Sequence, residues 1–308
     1  MDLISVLDIK DEIDDILRLS EDMKRDSKKG FFKEHLKNRT LAMIFEKSST
    51  RTRVSFEAVM TQLGGHAIYL KSDETQLGRG ETLADTAVTL SRYVDGIMIR
   101  AKRHADIVEF AANASVPVIN GLSELEHPCQ IISDLFTIRE ELGGFKGLKL
   151  AYIGDGNNVC NSLLFGCAIT GIDISVATPK GYEPDEKILK DSKEISKKNG
   201  SKIEILNDPD IAVEGAEIIY TDVWISMGQE NEEEKRLKDF KPYQVNMKLV
   251  EKGNNPVVMH CLPAKRGFEI TDEVISSSNS VVFDQAENRL YVQKALLRFL
   301  LDEKFRMR

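Results

Sequence analysis

The chain has 308 residues, of which 42% are hydrophobic and 30% are charged. This composition is typical of a globular protein, and the length predicts two domains of roughly 150 residues each. Aspartate and glutamate (50) outnumber lysine and arginine (42), which gives a net charge of −8. That balance argues against nucleic-acid binding through a broadly basic surface, so any anion site has to be local and built from a few placed donors.

The cysteines and the first residues of the chain are informative about the cellular compartment of the protein. The four cysteines form neither a CxxC pair nor a spacing typical of zinc ligands, so no metal is expected. The opening stretch MDLISVLDIKDEIDDILRL is acidic and helical in period, unlike a signal peptide. No apolar run reaches about 18 residues, and we therefore expect a cytoplasmic protein without a membrane span.

Short apolar runs alternate with helix-period stretches, which is typical of α/β proteins with parallel sheets. The strands predicted in the first half are LAMIF (41–45), HAIYL (66–70), GIMIR (96–100) and VPVIN (116–120). One helix has apolar residues at helical spacing from Phe56 to Leu63, and a second follows Pro128 and runs to Leu142.

The alternation restarts after LGGFKG (142–147), the expected hinge. Further strands are predicted at LKLAYIG (148–154), DISVAT (173–178), KIEIL (202–206), EIIYTDV (217–223), PVVMHCL (256–262) and SVVFD (280–284). A terminal helix, NRLYVQKALLRFLL, completes the chain. The predicted fold is α/β with two domains, 1–142 and 143–286, each a parallel β-sheet flanked by helices. Residues 287–308 are expected to form a helix that packs back on the first domain.

The stretch SSTRTR (48–53) places hydroxyl residues and two arginines where the first helix starts. A helix beginning near Arg51 points unpaired backbone N–H groups and the positive end of its dipole outward. Together with the hydroxyls and the guanidinium, these groups suit a tetrahedral oxyanion. The GxxxxGK[ST] pattern is absent, which disfavours a nucleoside triphosphate. The alternative is that Ser and Thr only cap the helix.

Further polar residues follow other predicted strands. HPCQ (127–130) comes after VPVIN, and Arg100 ends GIMIR, so both are expected at the ligand-binding edge of a parallel sheet. In the second half, YIGDGNNV (152–159) lacks the third glycine of a dinucleotide fingerprint, because Val159 stands there. A small-molecule site using Asp155, Asn157 or Asn158 fits better. Asp222 and Cys261 each follow a strand, although Cys261 could equally be an inert buried thiol.

Four motifs together resemble the aspartate/ornithine carbamoyltransferase family over essentially the whole chain. They are SSTRTR (48–53), HPCQ (127–130), DVWISMG (222–228) and HCLP (260–263). The last two mark the ornithine branch. The resemblance implies transfer of the carbamoyl group of carbamoyl phosphate to the side-chain amine of L-ornithine, giving L-citrulline and phosphate in arginine biosynthesis, with no cofactor and no metal.

The resemblance also implies roles for individual residues. Those implied for carbamoyl phosphate are Ser49, Thr50, Arg51, Thr52, Gln76, Arg100, His127, Pro128, Cys129, Gln130, Cys261, Leu262 and Arg289. Those implied for ornithine are Asn158, Asp222, Ser226 and Met227. Arg100, His127 and Cys261 are the implied catalytic residues, and Arg100, His127 and Gln130 the implied donors around the carbamoyl group. Gln76 matches a residue that the family lends to the neighbouring subunit, which implies a homotrimer or an assembly of trimers.

Three alternatives stay open to test. A carbamoyltransferase for putrescine would not need the groups placed to bind an α-carboxylate and α-ammonium, and one for aspartate would bring a second carboxylate against Asp222. A dinucleotide-dependent oxidoreductase conflicts with Val159. A non-catalytic binding protein on the same scaffold would be expected to lack Arg51, Arg100 or His127, and all three are present.

Overall fold

The computed structural model describes residues 1–226, 228–302 and 305. The chain divides into two compact units, Met1–Phe136 with Glu287–Arg308, and Thr137–Ala286. The expected boundary after residue 142 falls at the end of the helix in which this division lies. Within the described residues, no helix combines the length and the apolar character that crossing a membrane requires.

The first unit contains a parallel sheet of four strands in the order β2-β1-β3-β4. Its strands are β1 (Thr40–Phe45), β2 (His66–Lys71), β3 (Gly96–Arg100) and β4 (Val118–Leu122). In chain order, its helices are α1 (Ile13–Lys28), α2 (Thr50–Gln62), α3 (Leu83–Leu90), α4 (His104–Asn113) and α5 (Pro128–Leu142). Buried Ile97, Phe110 and Val118 belong to the core of this unit.

The second unit contains a parallel sheet of five strands in the order β7-β6-β5-β8-β9. Its strands are β5 (Lys149–Ile153), β6 (Asp173–Ala177), β7 (Ile203–Leu206), β8 (Ile218–Thr221) and β9 (Val257–His260). Its helices are α6 (Asn158–Thr170), α7 (Glu186–Asn199), α8 (Pro209–Val213), α9 (Glu233–Phe240), α10 (Met247–Val250) and α11 (Asp272–Ile275). Trp224 is buried in the core and stacks on Phe240, with ring centroids 6.0 Å apart.

The terminal helix α12 (Val282–Leu301) starts in the second unit and runs through the last part of the first. On α1, Lys24 donates a hydrogen bond to Asn288 of α12, and Lys28 donates one to Glu287 of α12. These contacts are expected for a helix that returns to the first domain. Short 3-10 turns span Val6–Ile9, Ser72–Glu74, Leu77–Arg79, Glu230–Glu232 and Lys241–Tyr243.

Parallel sheets flanked by helices confirm the predicted fold class, and nine of the predicted strands are present. The strand predicted at SVVFD (280–284) is wrong. Ser280 makes an isolated parallel bridge to Val258, and the helix α12 begins two residues later at Val282. A short run of β-branched residues is compatible with a strand or with the start of a buried helix, and periodicity alone does not separate them.

Each sheet has one point at which the strand order reverses direction. In the first sheet this point lies between β1 and β3, and in the second it lies between β5 and β8. Connections that leave neighbouring strands in opposite directions open a crevice at the strands' carboxyl ends, where ligands bind in α/β folds. The segments after β1, β3, β5 and β8 are therefore the ones to search for a functional site.

Candidate active site

The amino end of α2 follows β1 at the carboxyl edge of the first sheet. Ser49 is extended (φ −157°), and its hydroxyl accepts a hydrogen bond from the Thr52 amide at 3.3 Å. Thr50 is exposed, Arg51 half-buried and Thr52 fully buried. The predicted helix start is confirmed, and the amides of the first turn point outward with the positive end of the helix dipole.

Two buried arginines add positive charge to this unit. Arg289, on α12, donates from Nη2 to the hydroxyl of Thr52 at 3.1 Å. Arg100 ends β3, and its register partner is Phe45, the last residue of β1. Placing a guanidinium against a helix amino terminus concentrates positive potential, which favours an anionic ligand.

His127 lies directly before α5 and is buried. Burial holds its pKa well below the usual value, and the positive charges of Arg289 and Arg100 lower it further. The imidazole is therefore neutral at physiological pH, because a second proton would have to enter a dry and already positive environment. A neutral imidazole can donate one N–H without adding charge to the site.

The first residues of α5 are Pro128, Cys129 and Gln130. Burial raises the pKa of Cys129 to about 12, and its thiol donates to the carbonyl of Asn120 at 3.5 Å, which argues against a nucleophilic role. Its implied place in the carbamoyl phosphate site stays a prediction. The side-chain nitrogen of Gln130 donates to the carboxylate of Asp134 at 2.8 Å. This bond uses one of the two N–H donors of the amide, and the implied role of Gln130 as a donor to the carbamoyl group stays a prediction.

Gln76 lies on the surface of the first unit. It directly precedes the 3-10 turn Leu77–Arg79 in an exposed segment. Its implied role in the site of a neighbouring subunit stays a prediction.

In the second unit, Asp222 directly follows β8 and Cys261 directly follows β9. The thiol of Cys261 donates to one carboxylate oxygen of Asp222 at 3.1 Å, and the amide nitrogen of Asn157 donates to the other at 2.8 Å. Asp222 is largely buried, so these bonds replace hydration that the carboxylate loses. The structure thus brings two of the predicted residues into contact, and it leaves a negative charge available to a cationic ligand.

Asn157 lies at the start of α6, within the stretch that lacks a complete dinucleotide fingerprint. Its side-chain oxygen accepts from the amides of Val159 and Cys160 at 3.0 and 3.1 Å and so caps α6. This cap satisfies two of the amides at the start of α6. Asn158, the predicted ornithine ligand, is the first residue of α6 and is half-buried.

A buried ion pair supports the segment between Asp222 and α9. Nη1 of Arg236 donates to Asp155 at 3.0 Å and to the carbonyl of Trp224 at 2.9 Å. Burial raises the pKa of Asp155 to about 6, and the adjacent Arg236 limits that rise. Because one guanidinium contacts the loop after β5 and the loop after β8, it fixes the two loops relative to each other.

The side chains of Asp222, His260 and Cys261 have potential metal-binding atoms within 4.8 Å of one another. Both ring nitrogens of His260 already have protein partners: Glu269 lies 3.1 Å from Nε2, and the Leu262 amide donates to Nδ1 at 2.9 Å. A metal held by His260 would have to displace one of them. The geometry therefore favours a structural role for His260.

Ser226 and Leu262 are the remaining predicted ligands within the described residues, and each lies in a loop. The amide of Ser226, in the loop after β8, donates to the side chain of Gln229 at 2.9 Å. Met227 lies outside the described residues. Leu262 has a left-handed backbone conformation (φ +57°) directly after Cys261.

Sequence reasoning missed Arg236 and Asp134. The charged stretch that contains Arg236 resembles a solvated connection, and nothing in its pattern marks one arginine for burial. The sequence did indicate the contact between Gln130 and Asp134. Residues four apart on a helix lie on the same face, and Gln130 precedes Asp134 by that spacing.

Comparison with known proteins agrees with these observations. Residues 1–140 match the carbamoyl-P binding domain of aspartate/ornithine carbamoyltransferases, and residues 146–300 match the Asp/Orn binding domain. The chain belongs to the aspartate/ornithine carbamoyltransferase family.

Individual members of this family are similar over nearly their full length. An ornithine carbamoyltransferase of Archaeoglobus fulgidus is 55% identical over 98% of both chains. A catabolic ornithine carbamoyltransferase of Thermoplasma volcanium is 51% identical, covering 97% of this chain and 98% of its own. The solved ornithine carbamoyltransferase of Pyrococcus furiosus is 52% identical, with a TM-score of 0.95 over 98% of this chain and 97% of its own.

The buried ion pair gives a first prediction. We expect Arg236→Met to lower the free energy of unfolding by about 3–5 kcal/mol at pH 8, because the Asp155 carboxylate is left buried without its cation. An acid whose pKa is raised on folding binds more protons in the folded state, so its contribution to stability falls as the pH rises towards that pKa. At pH 5, below the Asp155 pKa of about 6, the carboxyl group is largely protonated and the loss is smaller.

Urea denaturation at the two pH values checks this. Arg266→Met is the matched control, since Arg266 pairs with Asp272 at 2.8 Å on the surface, and it should cost less than about 1 kcal/mol at both pH values. Equal losses for the two variants at pH 8 would contradict the prediction.

Proposed function

We propose that the chain transfers the carbamoyl group of carbamoyl phosphate to the side-chain amine of L-ornithine, giving L-citrulline and phosphate. The observation that carries the proposal is the positive site of the first unit. There Arg289 bonds to Thr52 at the start of α2, and a neutral His127 lies in the field of Arg289 and Arg100. The family membership supports the same reaction.

In this mechanism the amino end of α2 holds the phosphate. Ser49, Thr50, Arg51 and Thr52 supply hydroxyl, amide and guanidinium donors, and Arg289 adds a second cation. These groups also stabilise the negative charge that the phosphate keeps as it leaves, so the leaving group departs without needing protonation.

Attack of the amine on the carbonyl carbon moves negative charge to the carbonyl oxygen. Arg100 and His127 are the proposed donors to that oxygen. Fixed donors that meet a charge only as it develops are typically worth about 3 kcal/mol each. Because His127 is neutral, it acts as a hydrogen-bond donor to the oxyanion without adding a further positive charge to the site.

The second unit binds the amino acid in this proposal. Asp222 carries a carboxylate suited to an ammonium group, and the same charge disfavours aspartate as the acceptor. Asn158, Ser226 and Met227 are further proposed ligands. An alkylammonium group ordinarily has a pKa of about 10.4, so the reactive amine must lose a proton before it attacks. Cys261, bonded to Asp222, is placed to orient that amine or to help remove its proton.

We further propose a cytoplasmic homotrimer, or an assembly of trimers, that serves arginine biosynthesis. Gln76, exposed on the first unit, is the residue proposed to enter the neighbouring site. All four cysteines are reduced thiols, which fits a reducing compartment. The similar protein from Thermoplasma volcanium is named catabolic, so measurement of both reaction directions is the test of the biosynthetic role.

A citrulline assay tests the reaction itself. The purified chain is supplied with carbamoyl phosphate and with ornithine, putrescine or aspartate in parallel. We expect turnover with ornithine and at most weak turnover with the others, because only ornithine offers an α-ammonium, an α-carboxylate and a side-chain amine together. Preference for putrescine would assign the chain to the alternative acceptor, and no product with any amine would refute the proposal.

The phosphate site gives a second prediction. Arg51→Ala should lower kcat/KM for carbamoyl phosphate by on the order of 100-fold, through loss of a charged donor to the phosphate. Arg53→Ala is the control, since Arg53 is exposed, pairs with Glu57 at 2.9 Å and stacks on Tyr69. Its effect should stay below about fivefold. Steady-state kinetics with both variants decide the matter, and an unaffected Arg51→Ala enzyme would refute the anion site.

The proposed part of Cys261 in proton transfer gives a third prediction. We expect Cys261→Ala to lower kcat and to move the rising limb of its pH profile to higher pH, because the ammonium then loses a group that helps to deprotonate it. Cys160→Ala makes the same change at a buried thiol on α6 and should leave the profile in place. If the profile of Cys261→Ala overlays that of the unmodified enzyme, Cys261 has no part in proton transfer.

A further inference from the structure

A hydrogen bond to Asp134 fixes the orientation of the Gln130 side-chain amide. Gln130 and Asp134 are both buried, and they lie on the same face of α5. The side-chain nitrogen of Gln130 donates to a carboxylate oxygen of Asp134 at 2.8 Å, so the amide presents its nitrogen to Asp134. The side-chain oxygen is thereby turned the opposite way.

That oxygen has no hydrogen-bond partner in the described part of the chain, and it is fully buried. A buried acceptor without a partner is costly, and native proteins rarely keep one without a reason. Gln130 follows His127 by three residues, at the proposed carbamoyl end of the site. A ligand that supplies an N–H donor would remove the cost.

We propose that Asp134 is a positioning residue that holds the Gln130 amide with its oxygen towards the substrate, and so makes the enzyme select a carbamoyl –NH2 over a methyl group. The inference rests on the proposed function. Carbamoyl phosphate offers acceptors at its phosphate and carbonyl oxygens, and its donor is the –NH2 group. Acyl phosphates such as acetyl phosphate carry a methyl group there and leave the Gln130 oxygen unsatisfied.

Two unreactive ligands isolate this contact. Phosphonoacetamide carries the –NH2 group, and acetonylphosphonate carries a methyl group in its place. Inorganic phosphate tests the phosphate site alone. Calorimetry gives a dissociation constant for each ligand without relying on turnover, and the discrimination is the ratio of the constants for the methyl and amide ligands.

Asp134→Asn is the informative variant, because its amide can face Gln130 with either its oxygen or its nitrogen. The Gln130 amide can then rotate by about 180° and present its N–H donors to the –NH2 group of the ligand. That group is itself a donor, so no hydrogen bond forms. We expect the discrimination to fall by roughly tenfold, with phosphate affinity unchanged. Asp134→Ser offers the same freedom with a smaller side chain and serves if the asparagine variant folds poorly. In a Gln130→Met background, Asp134→Asn should have no further effect on the discrimination.

An unchanged ratio in folded Asp134 variants would overturn the inference. So would an equal weakening of all three ligands, since that is what general damage to α5 would produce. The two levels of the proposal fail separately. If the unmodified chain makes no citrulline, the proposed function fails, whereas if it makes citrulline and the Asp134 variants keep their discrimination, only the role of Asp134 fails.

Discussion

Parallel pairing of neighbouring strands is the constraint on which both candidate clusters depend. In the first sheet Phe45 pairs with Arg100, so the helix start after β1 and the arginine that ends β3 reach the same edge. In the second sheet Thr221 pairs with His260, and the next residues, Asp222 and Cys261, are therefore adjacent. Residues far apart in sequence meet because parallel strands bring their carboxyl ends to one edge, where the connections are free to carry polar groups.

The two units handle buried charge in opposite ways. The first concentrates positive groups around the start of α2 and keeps His127 neutral, which suits a ligand that brings negative charge. The second surrounds the Asp222 carboxylate with two hydrogen-bond donors and keeps its negative charge for a cationic ligand. These environments match an acyl phosphate and an amino acid with an ammonium group, and neither requires the substrate to change its usual ionisation before it binds.

The sequence predicted what depends on short-range pattern and missed what depends on tertiary packing. Ser49 as a cap and Pro128 at a helix start follow from local chemistry, and the structure confirms both. The strand predicted at SVVFD was wrong because a short apolar run does not distinguish a strand from the start of a buried helix. The burial of Arg236 could not be predicted, because it arises from contacts with Asp155 and Trp224 that are distant in sequence.

The turn after β9 shows how an unfavourable backbone conformation can serve the site. Leu262 has a φ of +57°, which typically costs a non-glycine residue about 1–2 kcal/mol. Its amide donates to His260, and Glu269 contacts the other ring nitrogen and accepts from the Lys265 amide at 2.5 Å. These hydrogen bonds close the turn on both sides of Cys261. The contact between Cys261 and Asp222 is thus set by the protein before any ligand arrives, which lowers the ordering cost of aligning an amine for attack.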